Sequence, residues 1–74
     1  MNSTTPEQAL GKAIRCLRKD LGLSQEALGF ACDLHRNYIG SIERGERNVS
    51  IRNITIIAKS LKITASELLR HAKL

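Results

Sequence analysis

Helix start and stop signals recur so closely along this chain that no long element fits between them. Thr5, Pro6 and Gln8 read as an N-cap, a first helical residue and the return arm of a capping box, so a first helix begins there. Gly22 supplies its left-handed exit. Ser24 caps a short second helix from Gln25 to Cys32, and Asp33 and Leu34 make a turn. A third helix runs from about Arg36 to Arg44 and stops at Gly45, Ser50 caps a fourth, and Thr64 with Glu67 forms a second capping box that opens a fifth, through about Ala72. Strand signals are weak, and no repeat or low-complexity stretch is present. The expectation is an all-α fold: a compact five-helix bundle in one domain over residues 1–74, with segments 1–4 and 70–74 frayed.

Apolar spacing assigns the inward faces. Leu10, Ile14, Leu17 and Leu21 form one narrow stripe on the first helix, opposite Lys12, Arg15 and Lys19. Ala27, Leu28 and Ala31 are expected inside on the second helix, Ile39 and Ile42 on the third, and Ile51, Ile54, Ile57, Ala58 and Leu61 on the fourth. A chain of 74 residues is near the lower limit for folding alone. That core leaves Ile56, Ile63, Leu68, Leu69 and Leu74 over. Ile56 lies nearly opposite the fourth helix's stripe, and adjacent Leu68 and Leu69 cannot both point inward. The surplus predicts a homodimer with Leu68 and Leu69 central to its interface, Ile63 contributing and Ile56 a further member.

Charge narrows the partner. Twelve Lys and Arg against seven Asp and Glu give a net charge of +5, which favours nucleic acid first and a membrane surface second. The basic residues are spread over several helices and not gathered in one amphipathic stripe, which argues against a membrane. No signal-peptide pattern and no apolar run long enough to span are visible, and Asn2 after Met1 does not fit an acylation motif, so neither a leader nor a lipid anchor is expected. A cytoplasmic, reducing setting is expected. Phe30 and Tyr38 are the only aromatics, too few for the stacking platforms of single-strand or RNA readers. Cys16 and Cys32 lack zinc spacing with His35 and His71, and no metal, cofactor or small-molecule ligand is evident. Cys32, Asp33 and His35 invite a catalytic reading, but short helices in so small a chain leave little room for a cleft, so no enzyme is expected. His71, near the end of the fifth helix, suits the helix dipole and receives no function.

The third helix is the informative one. At about 100° per residue, Ile39 and Ile42 mark its core side, and Gly40, Arg44, Asn37 and Ser41 face away, with Arg36 at the rim. That face holds small or multi-donor side chains and no acid. A DNA major groove accepts such a helix, with Asn able to pair with adenine and Arg with guanine in bidentate fashion.

The stretch "LSQEALGFACDLHRNYIGSIERGERNVSIRNITIIAKSL", Leu23 to Leu61, resembles the helix-turn-helix of Cro/C1-type (XRE) regulators. The matching signs are Ser24-Gln25-Glu26, Leu28, Leu34 after the turn, Ile39, Ile42-Glu43, Gly45 and the Ile54 to Ala58 helix. The short length and "ERGERNVS" also resemble the controller proteins of restriction-modification systems, a pattern shared by phage-type repressors and antitoxins. The resemblance implies a lambda repressor-like domain, with the helix-turn-helix at about 24–44 and helices at about 51–72 for core and dimerisation. It implies that Arg36, Asn37 and Ser41 touch base edges beside His35 at the cap. Gln25, Tyr38, Arg44, Arg47, Asn48 and Arg52 are assigned to the DNA backbone, and Arg18 and Glu43 to a partly buried structural ion pair. Two departures stand out: Asp33 where the family turn usually has Gly, and Gly29 where it usually has Ala. The function implied is a dimeric, sequence-specific double-stranded-DNA-binding transcriptional regulator acting on an inverted-repeat operator. The alternative is an antitoxin-type module that binds a toxin and autoregulates its operon. Operator, regulated gene and sign of regulation stay open.

Overall fold

The computed structural model describes residues 4–74 and uses every expected cap. Its elements are α1 (Pro6–Asp20), α2 (Gln25–Cys32), α3 (Arg36–Glu43), α4 (Ile51–Ser60) and α5 (Ala65–His71), with no strand among the described residues. Thr5 and Gln8 exchange both bonds of a capping box, and Thr64 and Glu67 do the same at α5. The hydroxyls of Ser24 and Ser50 accept the N–H groups of Ala27 and Asn53 at 2.9 and 3.1 Å. Each such cap satisfies an orphan donor and contributes about 1 kcal/mol.

The exits are less conventional. Asp33 takes the left-handed conformation directly, at φ 59 and ψ 39, so the turn forms without glycine. Lys62 and Lys73 also have positive φ and close α4 and α5. A lysine there costs about 1–2 kcal/mol in backbone strain. Residues 70–74, expected to fray, are instead folded back onto the chain. Ala72 is buried, and the N–H of Leu74 donates to the Leu69 carbonyl at 2.9 Å. The fraying expected of residues 1–3 falls outside the described residues.

Ile14, Leu28, Ile39, Ile42, Ile57 and Leu68 are fully buried and form the centre of the core, with Leu10, Ala13, Ile54, Ala58 and Leu61 around them. Four expectations about faces need correction. Ala27 and Ala31 are exposed, because α2 turns Leu28, Gly29 and Cys32 inward and puts the flanking alanines outside. Ile51 is 70% exposed because it is the first residue of α4, beyond the end of the core its stripe-mates fill. Leu21 caps α1 and is 42% exposed, and Leu17 is half-buried. Leu68 is the fourth: expected at a dimer interface, it is fully buried in the chain's own core. Of the two adjacent leucines α5 takes Leu68 inward and leaves Leu69 half-buried against the core, as Ile56 and Ile63 also are.

Candidate nucleic-acid interface

Three residues, 33–35, separate α2 from α3. Their path brings the start of α3 close against α2: a Cβ on Gly29 would lie 2.5 Å from the Leu34 carbonyl oxygen. Glycine is therefore required at 29 by the close approach, and an alanine there would have to move the backbone. The N–H of Leu34 donates to the Gly29 carbonyl at 2.8 Å, closing the turn. His35 then caps α3, its Nδ1 accepting the Asn37 N–H at 3.0 Å. An accepting Nδ1 leaves Nε2 as the ring's remaining polar atom.

Beneath this pair of helices lies a polar lock. Arg18 of α1 donates Nε to Glu43 Oε2 at 2.6 Å and Nη2 to Glu43 Oε1 at 2.9 Å, while its Nη1 donates to the Leu23 carbonyl at 2.8 Å. Gln25 adds a fourth bond, from Nε2 to Glu43 Oε1 at 3.0 Å. Side-chain exposure is 9% for Arg18 and 3% for Glu43. The hydrogen bonds to Glu43 hold the guanidinium above its ordinary pKa, against desolvation. One lock thus ties α1 to α3 and to the N-terminus of α2. The Leu23 carbonyl in it carries no sequence signal, since any residue would supply it.

The outward side of α3 and the following loop hold the remaining candidates. Arg36 and Asn37 are exposed, and Arg36 reaches Glu26 of α2 at 3.5 Å. Arg44 is exposed and forks onto Glu46, Nε to Oε2 at 2.9 Å and Nη2 to Oε1 at 3.2 Å. Gly45, at φ 77, reverses the chain so that these two side chains meet two positions apart. Those hydrogen bonds hold the Glu46 carboxyl below its ordinary pKa and Arg44 above its own. Arg47, Asn48 and Arg52 are exposed, Tyr38 and Gln25 half-buried.

Ser41 is not on the exposed face. It is 5% exposed, its hydroxyl donating to the Tyr38 carbonyl at 2.7 Å and accepting from Arg47 Nε at 3.1 Å. Gly40 is also buried, next to the side chains of Gln25 and Arg44. A helical wheel with one core side misplaces both, because α3 packs on α1 and α2 together and Arg47 of the loop after it reaches back to Ser41. Asn53 of α4 escaped the sequence reading as well: its Nδ2 donates to Tyr38 Oη at 3.1 Å, a contact across fifteen residues that no local pattern announces.

Residues 14–68 match the helix-turn-helix family. The chain belongs to that family. It is 50% identical over 60 residues to the control protein C.BamHI of Bacillus amyloliquefaciens, covering 80% of this chain and 74% of that protein. Its fold is similar to the crystal structure of the restriction-modification controller protein C.AhdI from Aeromonas hydrophila. There the TM-score is 0.81 at 47% identity, over 84% of this chain and 94% of that one. It is also similar to the C.Esp1396I controller tetramer in complex with its natural 35 base-pair operator, with TM-score 0.81, 26% identity and coverage of 97% and 100%. In this family chain, the turn at 33–35 lies between the two helices that give the family its description. No group of His, Cys, Asp and Glu suited to a metal occurs among the described residues, and no described helix is long and apolar enough to cross a membrane.

Proposed function

We propose that this helix-turn-helix protein is a dimeric, sequence-specific double-stranded-DNA-binding transcriptional regulator of the restriction-modification controller kind. The observation that carries the reading is the outward side of α3 and its loop, where Arg36, Asn37, Arg44, Arg47 and Asn48 are exposed together on a rigidly capped scaffold. Arg36 and Asn37 enter the major groove and read base edges, with His35 Nε2 beside them. Arg44, Arg47, Asn48, Arg52, Tyr38 and the N-terminus of α2 at Gln25 hold the sugar-phosphate backbone. The pairs Arg36–Glu26 and Arg44–Glu46 are exposed and weak, so they exchange readily for DNA acceptors. The likeness to control proteins, one of them solved on its operator, supports the same reading. The protein acts by occupying a site, without catalysis.

Dimerisation uses the edge of α4 and α5. Leu69, Ile63 and Ile56 are half-buried there, and Leu74 is 56% exposed. Residues 24–44 thus form the reading unit, and residues 51–72 complete the core and pair the subunits. A two-fold dimer places its recognition helices about 34–36 Å apart, on half-sites about 10 bp centre to centre.

Selection of bound duplexes from a random pool tests this, with sedimentation of the free protein and of Leu69→Asp. The expected result is an inverted repeat bound at least about a thousandfold more tightly than unrelated duplex. A dimeric wild type and a monomeric Leu69→Asp complete it. No enriched sequence, or a wild type that stays monomeric at tens of micromolar, on the order of a weak dimer's Kd, contradicts the reading.

A further inference from the structure

Arg47 lies in the loop between α3 and α4, where a long side chain is free to sample many rotamers and loses that freedom on binding. Here side chains of two helices hold it beforehand. The single hydroxyl hydrogen of Ser41 is committed to the Tyr38 carbonyl at 2.7 Å, which turns its lone pairs toward Arg47 Nε, 3.1 Å away. The Arg47 guanidinium carbon lies 5.7 Å from the centroid of the Tyr38 ring, within cation–π range. The ring is pinned from its far end by Asn53 of α4, through the 3.1 Å bond to Oη. Of the guanidinium atoms Nε is the one used internally, and the Nη groups are those with which arginine takes a phosphate in bidentate fashion.

We infer that Ser41 and Asn53 are positioning residues for DNA binding, which hold Arg47 in its phosphate-gripping pose before DNA arrives. The inference rests on the reading of Arg47 as a backbone contact. Ser41 acts on affinity and not on sequence choice, because a phosphate contact carries no base information. It replaces direct base reading as the role of a side chain that is buried, with both its hydrogen-bonding directions occupied.

The experiment measures affinity for the duplex the wild type selects and for an unrelated duplex, using Ser41→Ala, Asn53→Ala, Arg47→Ala and Ser41→Ala with Arg47→Ala. Thermal melts run alongside. Each positioning variant is expected to bind about two- to tenfold more weakly on both duplexes, the ordering cost of one long side chain. Ser41→Ala is expected to cost nothing further once Arg47 is alanine, a readout that a merely structural serine does not move. A loss that persists undiminished in the Arg47→Ala background overturns the inference, as does wild-type affinity in Ser41→Ala. Both of those outcomes leave the DNA-binding reading intact when Arg47→Ala itself weakens binding. Wild-type affinity in Arg47→Ala overturns the inference together with the contact it rests on.

Discussion

Two arginine–glutamate pairs use the same chemistry in opposite settings. Arg18 and Glu43 meet inside the molecule, with 9% and 3% of their side chains exposed, and two further groups, the Leu23 carbonyl and the Gln25 amide, complete their hydrogen bonding. Arg44 and Glu46 meet in water, at 60% and 56% exposure. Both are bidentate, so geometry does not separate them; the surroundings do. Breaking the inner pair strands a charge away from water, whereas the outer pair exchanges water or a phosphate for carboxylate at little cost. One side of α3 is therefore committed to the fold, and its other side remains available for a partner.

The largest effect expected is on the inner pair. Glu43→Ala leaves Arg18 buried without its carboxylate and is expected to cost about 3–5 kcal/mol of stability. The double variant with Arg18→Ala should lose much less than the sum of the single losses, because no unpaired charge remains. Denaturant unfolding of the three variants checks this. Strictly additive losses would erase the contrast between the pairs.

Arg44→Ala should do the converse. Its stability is expected to stay within about 0.5 kcal/mol of wild type, as for an ordinary surface change. DNA binding should weaken on every sequence alike, with the slope of log affinity against log salt reduced by about 1.8 for the dimer, one phosphate contact in each subunit. A salt titration on two unrelated duplexes measures it, and an unchanged slope would remove Arg44 from the backbone contacts.

The smallest effect is that of Glu46 on acid stability. Hydrogen bonds from Arg44 place its folded carboxyl below the ordinary value of 4.5. Stability from this pair is then fully present above that ordinary value and is lost as pH falls through the lowered one. Glu46→Gln should melt slightly below wild type at pH 7 and lose slightly less stability on acidification, so that the two converge at low pH. A loss at pH 7 as large as that of Glu43→Ala would make the outer pair structural too.

The same contrast explains how much of the molecule was legible in its sequence. Helix starts were, because a cap such as Thr5 with Gln8 is a short-range bargain between residues three apart, written in the residues themselves. The Arg18–Glu43 pairing was implied only through the family pattern, since twenty-five residues separate the partners. The end of α5 fell within a residue of the expected Ala72, but the left-handed exit at Lys62 was hidden because lysine is an ordinary surface residue that here adopts an unusual backbone. Ser41 and Leu68 were misplaced for one reason: periodicity tells which residues share a face and not how many neighbours cover it. α3 is covered from more sides than a wheel allows, and α5 had two leucines with room for one. The outward arginines were legible, but not that Glu26 and Glu46 occupy two of them, since the latter contact depends on the reversal at Gly45.

The central claim is that the exposed side of α3 reads DNA sequence. Binding-site selection with wild type, Arg36→Ala and Asn37→Ala tests it most directly. Each substitution is expected to relax selection at one base position in each half-site and to cost about 1–3 kcal/mol on the preferred duplex. Sequence preference unchanged in both variants would contradict it.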